Sequence, residues 1–171
     1  EMMTAASKGD LKSLYVMGEN PMMSDPDNAH IEHALANLDF LVVQDIFLSE
    51  TAIKADVVLP AASFAEKDGT YSNTARRVQL SHKAVSSPGQ ARNDWQIICE
   101  VSRLCGYPMN YTSTADIMKE INALTPSYAG ITHERLQTSH GLQWTCPHEE
   151  HPGTVVLDKD RCNQGTGTFF P

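Results

Sequence analysis

The sequence of 171 residues lacks the common loops that bind nucleotides. It contains no G-x-G-x-x-G fingerprint and no G-x-x-x-x-G-K-S/T loop, which argues against a standard NAD-binding domain and against a P-loop NTPase. It also lacks a nucleophile elbow and a C-x-x-C pair. We interpret its cysteines as reduced structural thiols, at Cys99, Cys105, Cys146 and Cys162.

Long apolar runs and basic residues are also scarce. No apolar stretch approaches the ~20 residues that span a bilayer, and the beginning, EMMTAASKGD, lacks the basic and then apolar order of a signal peptide. Thirteen Lys and Arg stand against twenty-one Asp and Glu, a formal charge of −8. Because nucleic acids bind basic surfaces and this chain is acidic, we expect no nucleic-acid partner. Because no long apolar stretch is present, we expect no membrane span in this chain.

The composition is that of a globular protein with a hydrophobic core. Apolar residues make up 41% of the chain, and its length suits one ordinary domain. The chain begins with Glu1 and ends with the apolar pair of GTGTFFP. Both ends look cut, and we expect the chain to be a fragment of a larger protein.

Apolar runs and helical patterns alternate over the first 60 residues. The runs predict three buried strands at Leu14–Met17, Phe40–Val43 and Val57–Leu59. Between them, a helical spacing starts at Asn28, and a short helix is predicted over Glu50–Ala55. This alternation predicts an α/β fold with a mainly parallel sheet covered by helices on both faces, a three-layer αβα arrangement of the Rossmann-like kind.

The second half of the sequence shows further elements. An extended segment is predicted at Ala75–Val85, and a helix from Asp94 to Gly106 with Trp95, Ile98, Val101 and Cys105 near one face. A helix opened by Ser113 or Thr114 follows, and THERLQTSHG predicts another.

Polar residues follow each predicted strand. The first strand leads into Gly18, Glu19 and Asn20, and the second into Gln44 and Asp45. In parallel sheets, ligands bind in the crevice beyond the carboxyl ends of the strands. A carboxylate there suits the adjacent N–H donors of a guanine or the hydroxyls of a ribose, and an amide both donates and accepts. The alternative is that these residues only cap their loops.

Basic residues and a Cys/His stretch offer further candidates. Lys67, in EKDG, suits a phosphate or a pterin carbonyl, with a solvated turn lysine as the alternative. Arg76 and Arg77 suit a phosphate or a carboxylate at the edge of the core. The stretch CPHEEH, residues 146–151, matches none of the common zinc patterns, so we expect an irregular surface loop and no metal site there.

Several motifs in order carry a family resemblance: GENP, VVQD, T…ADVVLP and EKDGTYSN…RR. With them the chain resembles the molybdopterin oxidoreductases of the dimethyl-sulfoxide-reductase family. Within that family it is most similar to the catalytic subunit of formate dehydrogenases, with nitrate reductases close behind. The resemblance continues through PGQARNDWQIICEVSRLCGYPMNY, YAGITHERL and GLQWTCP, and so covers nearly the whole chain.

The resemblance implies a domain, residues 1–150, that holds one of the two molybdopterin guanine dinucleotides of a bis-cofactor with molybdenum or tungsten. Residues 151–171 would lead toward a C-terminal barrel. Position by position, it places these residues against the cofactor: Gly18, Asn20, Gln44, Asp45, Lys67 and Asp94. Asp45 is the foremost candidate for guanine or ribose recognition, Asp94 lies at a helix start, and Ser49 is a weaker candidate.

The chain departs from the family pattern in two respects that limit its chemistry. It lacks the family's iron–sulfur motif and the segment with the metal-ligating cysteine or selenocysteine. We therefore expect no catalytic residue and no metal ligand here, a 4Fe-4S cluster in the missing part of the parent enzyme, and no formate dehydrogenase activity of this chain alone.

For the parent, the resemblance implies oxidation of formate to carbon dioxide, in the cytoplasm or alternatively the periplasm. Its partners would be the remaining domains of the subunit and electron-transfer subunits. Two alternatives remain, a nitrate reductase-type molybdoenzyme and a non-catalytic module of the same fold that binds partners. The retained polar residues Asn20, Asp45 and Lys67 favour cofactor binding over the non-catalytic module.

Overall fold

The computed structural model describes residues 1–157 and residue 159. These divide into two compact units: Glu1–Lys67 with Lys83–Asn110, and Asp68–His82 with the described residues from Tyr111 onward. The division falls inside residues 1–150. The assignment of that range to one cofactor-binding domain, and of 151–171 to a linker, stays a prediction. Part of that linker, and Cys162, lie outside the described residues.

The first unit alternates helices and strands, as predicted. Its elements are α1 (Met2–Ser7), β1 (Ser13–Met17), α2 (Pro21–Ser24), α3 (Asn28–Ala36), β2 (Phe40–Asp45), α4 (Glu50–Ile53), β3 (Val57–Pro60), a 3-10 turn (Phe64–Glu66) and α5 (Asp94–Leu104). The strands form a parallel sheet in the order β1-β2-β3. The predicted α/β class and the parallel pairing of the three apolar runs are confirmed.

Strand β2 is longer than its apolar run. Gln44 pairs with Met17 and Leu59, and Asp45 pairs with Pro60. The Gly18 N–H donates to the Gln44 carbonyl at 2.8 Å, and the Ala61 N–H donates to the Asp45 carbonyl at 3.0 Å. The backbone ladder therefore continues through two polar residues and brings their side chains to the carboxyl edge of the sheet.

Both faces of the parallel sheet carry helices. On one face, Val16 of β1 and Val43 of β2 belong to a buried core that includes Ile31 and Leu35 of α3. On the other face, Leu59 of β3 lines a cavity together with Ile97 of α5. The β1 side of this second face is more open. Tyr15 and Met17 of β1 are exposed there, as is Phe40 at the start of β2.

The prediction of which residues of α5 form its apolar face is wrong. Ile97 is the buried residue of this helix at 7% exposure, whereas Ile98 is 38% exposed. The side chain of Asp94, the first residue of α5, accepts hydrogen bonds from Gln44 and Lys67. These bonds turn the Asp94 side of the helix toward the sheet, and Ile97 lies one turn further along that side. An apolar pattern alone cannot reveal this rotation.

The second unit contains a small antiparallel sheet, of which one strand lies inside the segment predicted to be extended, Ala75–Val85. Its strands are β4 (Gly69–Ser72), β5 (Arg77–Ser81) and β6 (Leu142–Gln143), in the order β4-β5-β6. Its helices are α6 (Thr114–Leu124) and α7 (His133–Thr138). Ser113 accepts the Asp116 N–H as the cap of α6, which confirms Ser113 as the residue that opens this helix.

Basic side chains of the second unit are bound to its backbone. The Arg76 guanidinium donates to the carbonyls of Thr154 and Val155, at 3.3 and 3.2 Å. Cys146 is fully buried, with its Sγ 3.2 Å from the Arg135 guanidinium, so the expectation of a surface loop fails at this residue. The described helices include none that is long and apolar enough to cross a membrane.

Candidate functional site

The candidate site lies at the carboxyl edge of the parallel sheet in the first unit. We call it the strand-end site, and it consists of the six predicted residues Gly18, Asn20, Gln44, Asp45, Lys67 and Asp94. Loops after β1 and β3, the end of β2 and the start of α5 supply them.

Gly18 provides open backbone directly after β1. Its φ is +62°, a conformation that favours glycine, and a Cβ built on it would meet no heavy atom of the described chain within 4 Å. Its N–H is bound to the Gln44 carbonyl. A ligand can therefore approach the backbone closely at this residue, as the resemblance implied for a small residue here.

Asn20 ties the loop after β1 to helix α4. Its Oδ1 accepts from the Thr51 hydroxyl at 2.7 Å and from the Thr51 N–H at 3.2 Å. Its Nδ2 donates to Glu50 Oε2 at 2.7 Å, and this bond lowers the pKa of the Glu50 carboxyl. Ser49, the weaker candidate, caps α4 by accepting the Ala52 N–H. Contact of Asn20 or Ser49 with a cofactor stays a prediction.

Gln44, Asp94 and Lys67 form one hydrogen-bonded chain. Gln44 is fully buried and donates from Nε2 to Asp94 Oδ1 at 2.8 Å. Lys67 Nζ is paired with Asp94 Oδ2 and also donates to the Ala62 carbonyl at 2.9 Å. Lys67 is therefore not a solvated turn lysine. Since an ammonium has three N–H donors, one donor of Lys67 remains after these two bonds among the described residues.

Tyr15 completes this chain and was not among the residues predicted from the sequence. Its hydroxyl donates to Gln44 Oε1 at 2.5 Å. Burial raises the pKa of the Tyr15 phenol, and the charge of Asp94 raises it further, so the phenol keeps its proton. Tyr15 was missed because it lies inside an apolar run. Only the register of β1 against β2 shows that it shares a sheet face with Gln44.

Thr51 was missed for a similar reason. It is buried in the short helix α4, and its hydroxyl accepts the Met22 N–H at 3.2 Å while donating to Asn20. Nothing in the local sequence distinguishes it from an ordinary helix residue.

Asp45 presents a carboxylate oxygen at the end of β2. Its Oδ1 accepts the N–H groups of Ile46 and Phe47, at 2.6 and 3.2 Å, and so shapes the loop that follows. Its Oδ2 has no hydrogen-bond partner among residues 1–157 and 159. One oxygen therefore supports the loop, and the other is available to a ligand with N–H or O–H donors.

Comparison with known proteins identifies the family of this chain. The family model "Molybdopterin oxidoreductase" matches residues 1–104, more than half of the chain. The chain belongs to the molybdopterin oxidoreductase family. This confirms the family that the motifs predicted, and its name states the cofactor class, a molybdopterin.

Two curated relatives of this molybdopterin oxidoreductase chain are a formate dehydrogenase subunit and a nitrate reductase subunit. It is 54% identical to the F420-dependent formate dehydrogenase subunit alpha of Methanocaldococcus jannaschii, over 100% of this chain and 26% of that protein. It is 41% identical to the assimilatory nitrate reductase catalytic subunit of Bacillus subtilis, over 92% of this chain and 23% of that protein. The chain thus spans about a quarter of the length of these relatives.

A solved structure supports the fold of this molybdopterin oxidoreductase chain. The acetylene hydratase of Pelobacter acetylenicus matches it with a TM-score of 0.68 and 21% identity, over 84% of this chain and 20% of that one. At this identity the likeness concerns the fold alone, and it agrees with the α/β arrangement described above.

The strand-end site fits a nucleotide-bearing pterin by its chemistry. The open backbone at Gly18 admits a large ligand, the Asp45 oxygen accepts from N–H donors, and the remaining Lys67 donor suits an anionic or carbonyl oxygen. All three features lie in the first unit.

Proposed function

We propose that this chain is part of the catalytic subunit of a formate dehydrogenase, in which it holds one molybdopterin guanine dinucleotide of a bis-cofactor. The observation that carries the proposal is the pairing of open backbone at Gly18 with the available Asp45 oxygen at the ends of adjacent strands. A guanine presents two adjacent N–H donors, and a carboxylate at a strand end is a suitable acceptor for them.

The residues of the strand-end site have distinct roles in this proposal. Asp45 accepts from the guanine, Gly18 allows the ligand to lie against the backbone, and Lys67 donates to a phosphate or pterin oxygen. Asn20, Gln44 and Asp94 hold these groups in place. Direct contact of these three side chains with the cofactor is also part of the proposal. When bound, the molybdopterin centre supplies the two-electron chemistry, and the chain supplies binding and orientation.

The proposal for the parent enzyme extends beyond this chain. It includes molybdenum or tungsten in the bis-cofactor, a 4Fe-4S cluster elsewhere in the subunit, formate as substrate, and electron-transfer subunits as partners in the cytoplasm. Formate is favoured by the 54% identity to a formate dehydrogenase alpha subunit. Nitrate reduction is the second candidate, because a nitrate reductase catalytic subunit is 41% identical.

The test uses the whole gene product, purified without oxygen. We expect guanine nucleotide, a pterin and molybdenum or tungsten in the wild type, and reduction of a dye by formate. Oxidation of a reduced dye by nitrate, without a reaction with formate, would select the second candidate. A protein with neither pterin nor guanine nucleotide would refute the proposal.

A matched pair of glycine variants tests the site itself. Gly18→Ala and Gly89→Ala each introduce a side chain at positive φ, +62° and +53°, and each new Cβ meets no heavy atom within 4 Å. Both changes therefore incur a backbone penalty of about 1–2 kcal/mol. Because Gly18 belongs to the strand-end site and Gly89 lies in the loop before α5, we expect Gly18→Ala to lose guanine nucleotide and Gly89→Ala to retain it. Equal nucleotide content in the two variants would remove Gly18 from the site.

A further inference from the structure

A tyrosine in strand β1 extends the strand-end site beyond the six predicted residues. We propose that Tyr15 is a positioning residue: through Gln44 and Asp94 it holds the Lys67 ammonium where an anionic oxygen of the ligand is bound. The identity of the ligand rests on the proposed function. The hydrogen-bonded chain from Tyr15 to Lys67 does not, because it lies entirely within the described protein.

The chemistry of the partners permits one orientation of the Gln44 amide. An ionised Asp94 carboxylate can only accept, so the amide must turn its Nε2 toward it, at 2.8 Å. The amide Oε1 then faces Tyr15, whose hydroxyl is the donor, at 2.5 Å. Removal of the Tyr15 hydroxyl therefore removes the hydrogen-bond donor of Gln44 Oε1.

The burial of Gln44 makes the hydrogen bond from Tyr15 important. Gln44 is 0% exposed, and Tyr15 is the donor that its Oε1 has in the described structure, so loss of the hydroxyl leaves this oxygen without its protein donor. A buried acceptor without a donor is unfavourable, and an amide that rotates to relieve this would turn its oxygen toward the Asp94 carboxylate. Either outcome weakens the hold of Gln44 on Asp94.

The position of Asp94 in turn determines what Lys67 offers a ligand. Asp94 is bound by Gln44 on Oδ1 and by Lys67 on Oδ2, so its charge is directed at the ammonium. Lys67 is also bound to the Ala62 carbonyl, which leaves it one donor among the described residues. A loosened Asp94 would hold the ammonium less firmly, so that Lys67 would be free to move away from the place where it meets the ligand. Tyr15 thus acts on the ligand through two intermediate residues.

The first measurement does not depend on the ligand. In the whole gene product stripped of cofactor, Lys67 and Lys12 are labelled briefly with acetic anhydride, and the rates are read by mass spectrometry. We expect Tyr15→Phe to raise the labelling rate of Lys67 severalfold and to leave that of Lys12 unchanged. Gln44→Met, which removes the amide instead of the hydroxyl, should have the same effect. Tyr107→Phe is the control, because the Tyr107 side chain is in the same unit and 72% exposed.

The second measurement follows guanine nucleotide release from the cofactor-loaded protein after dilution. We expect Tyr15→Phe to accelerate release about fivefold, the factor that corresponds to one neutral hydrogen bond of about 1 kcal/mol. Because Tyr15 acts through Lys67, Tyr15→Phe should have no further effect in a Lys67→Met background. A purely structural role of Tyr15 would give the same acceleration in both backgrounds.

The outcomes separate this inference from the proposed function. Wild-type labelling of Lys67 in both Tyr15→Phe and Gln44→Met would overturn it, whatever the ligand is. An effect of Tyr15→Phe on release that persists in Lys67→Met would also overturn it. A wild-type protein without guanine nucleotide would refute the proposed function, and the labelling experiment would still decide whether Tyr15 positions Lys67.

Discussion

Replacement of Asp45 by asparagine tests the proposed contact with a guanine with little disturbance of the loop. The Asp45 Oδ1 accepts the N–H groups of Ile46 and Phe47, at 2.6 and 3.2 Å. An asparagine oxygen can accept both of these bonds, so the turn after β2 should persist. The change falls on the other oxygen, which becomes an NH₂ group that would face the donors of the proposed guanine.

The expected magnitude follows from these contacts. A hydrogen bond to a charged group contributes about 1.5–3 kcal/mol, and the new NH₂ leaves a ligand donor without a partner. We therefore expect Asp45→Asn to weaken local binding by roughly 2–4 kcal/mol, about thirtyfold to several hundredfold in affinity. Since the second pterin of the bis-cofactor would remain bound, the enzyme should keep some cofactor, more loosely held and less active.

The assay quantifies guanine nucleotide and metal in each purified full-length variant, together with turnover. Asp25→Asn is the matched control, because Asp25 also accepts a backbone N–H through Oδ1, from Asp27 at 3.0 Å, but follows α2 instead of a strand. Asp45→Ala removes the loop bonds as well and should lose more than Asp45→Asn. Normal nucleotide, metal and turnover in Asp45→Asn would show that Asp45 only shapes its loop.

Two further predictions concern stability and pH. Ile31→Ala, in the buried core of the first unit, should lower the free energy of unfolding by about 2–5 kcal/mol in a urea titration. Ile53→Ala, at an exposed position, should change it by less than ~0.5 kcal/mol. Equal losses in the two variants would contradict the assigned core. Hydrogen bonds from Thr112 and Ser113 lower the pKa of Asp116 from 3.8 to about 2, so its contribution to stability is complete above pH 3.8 and lost as the pH falls toward 2. An NMR titration of Thr112→Val should show a raised Asp116 pKa, and Thr132→Val, which removes the cap of α7 instead, should leave it unchanged. An unaltered Asp116 pKa in Thr112→Val would contradict the assignment.

The sequence alone determined the features that depend on neighbouring residues. The apolar runs around Val16, Val43 and Val58 predicted three strands, and the helical spacing from Asn28 predicted the helix between the first two. Because such alternation permits few arrangements, it also determined the parallel sheet and the edge at which polar residues gather. A helix start at Ser113 or Thr114 was likewise readable, since a helix cap is satisfied within a few residues, and the structure assigns the cap to Ser113.

The tertiary structure decided which polar groups remain for a ligand. Gln44, Lys67 and Asp94 were predicted as separate contacts, but the fold joins them into one chain that begins at Tyr15. Hydrogen bonds between residues 27 to 50 positions apart depend on strand register and on the rotation of α5, neither of which leaves a local signal.

The second sheet and the Asp45 oxygen illustrate the same limit. Strands β5 and β6 pair Val78 with Leu142 across a long stretch of chain, and such pairing has no local pattern of its own. A carboxylate at Asp45 was visible in the sequence. Only its surroundings show that one oxygen is occupied by the Ile46 and Phe47 amides and that the other is available. Residue types are thus local information, whereas the partners that satisfy them are assigned by the packing of distant segments.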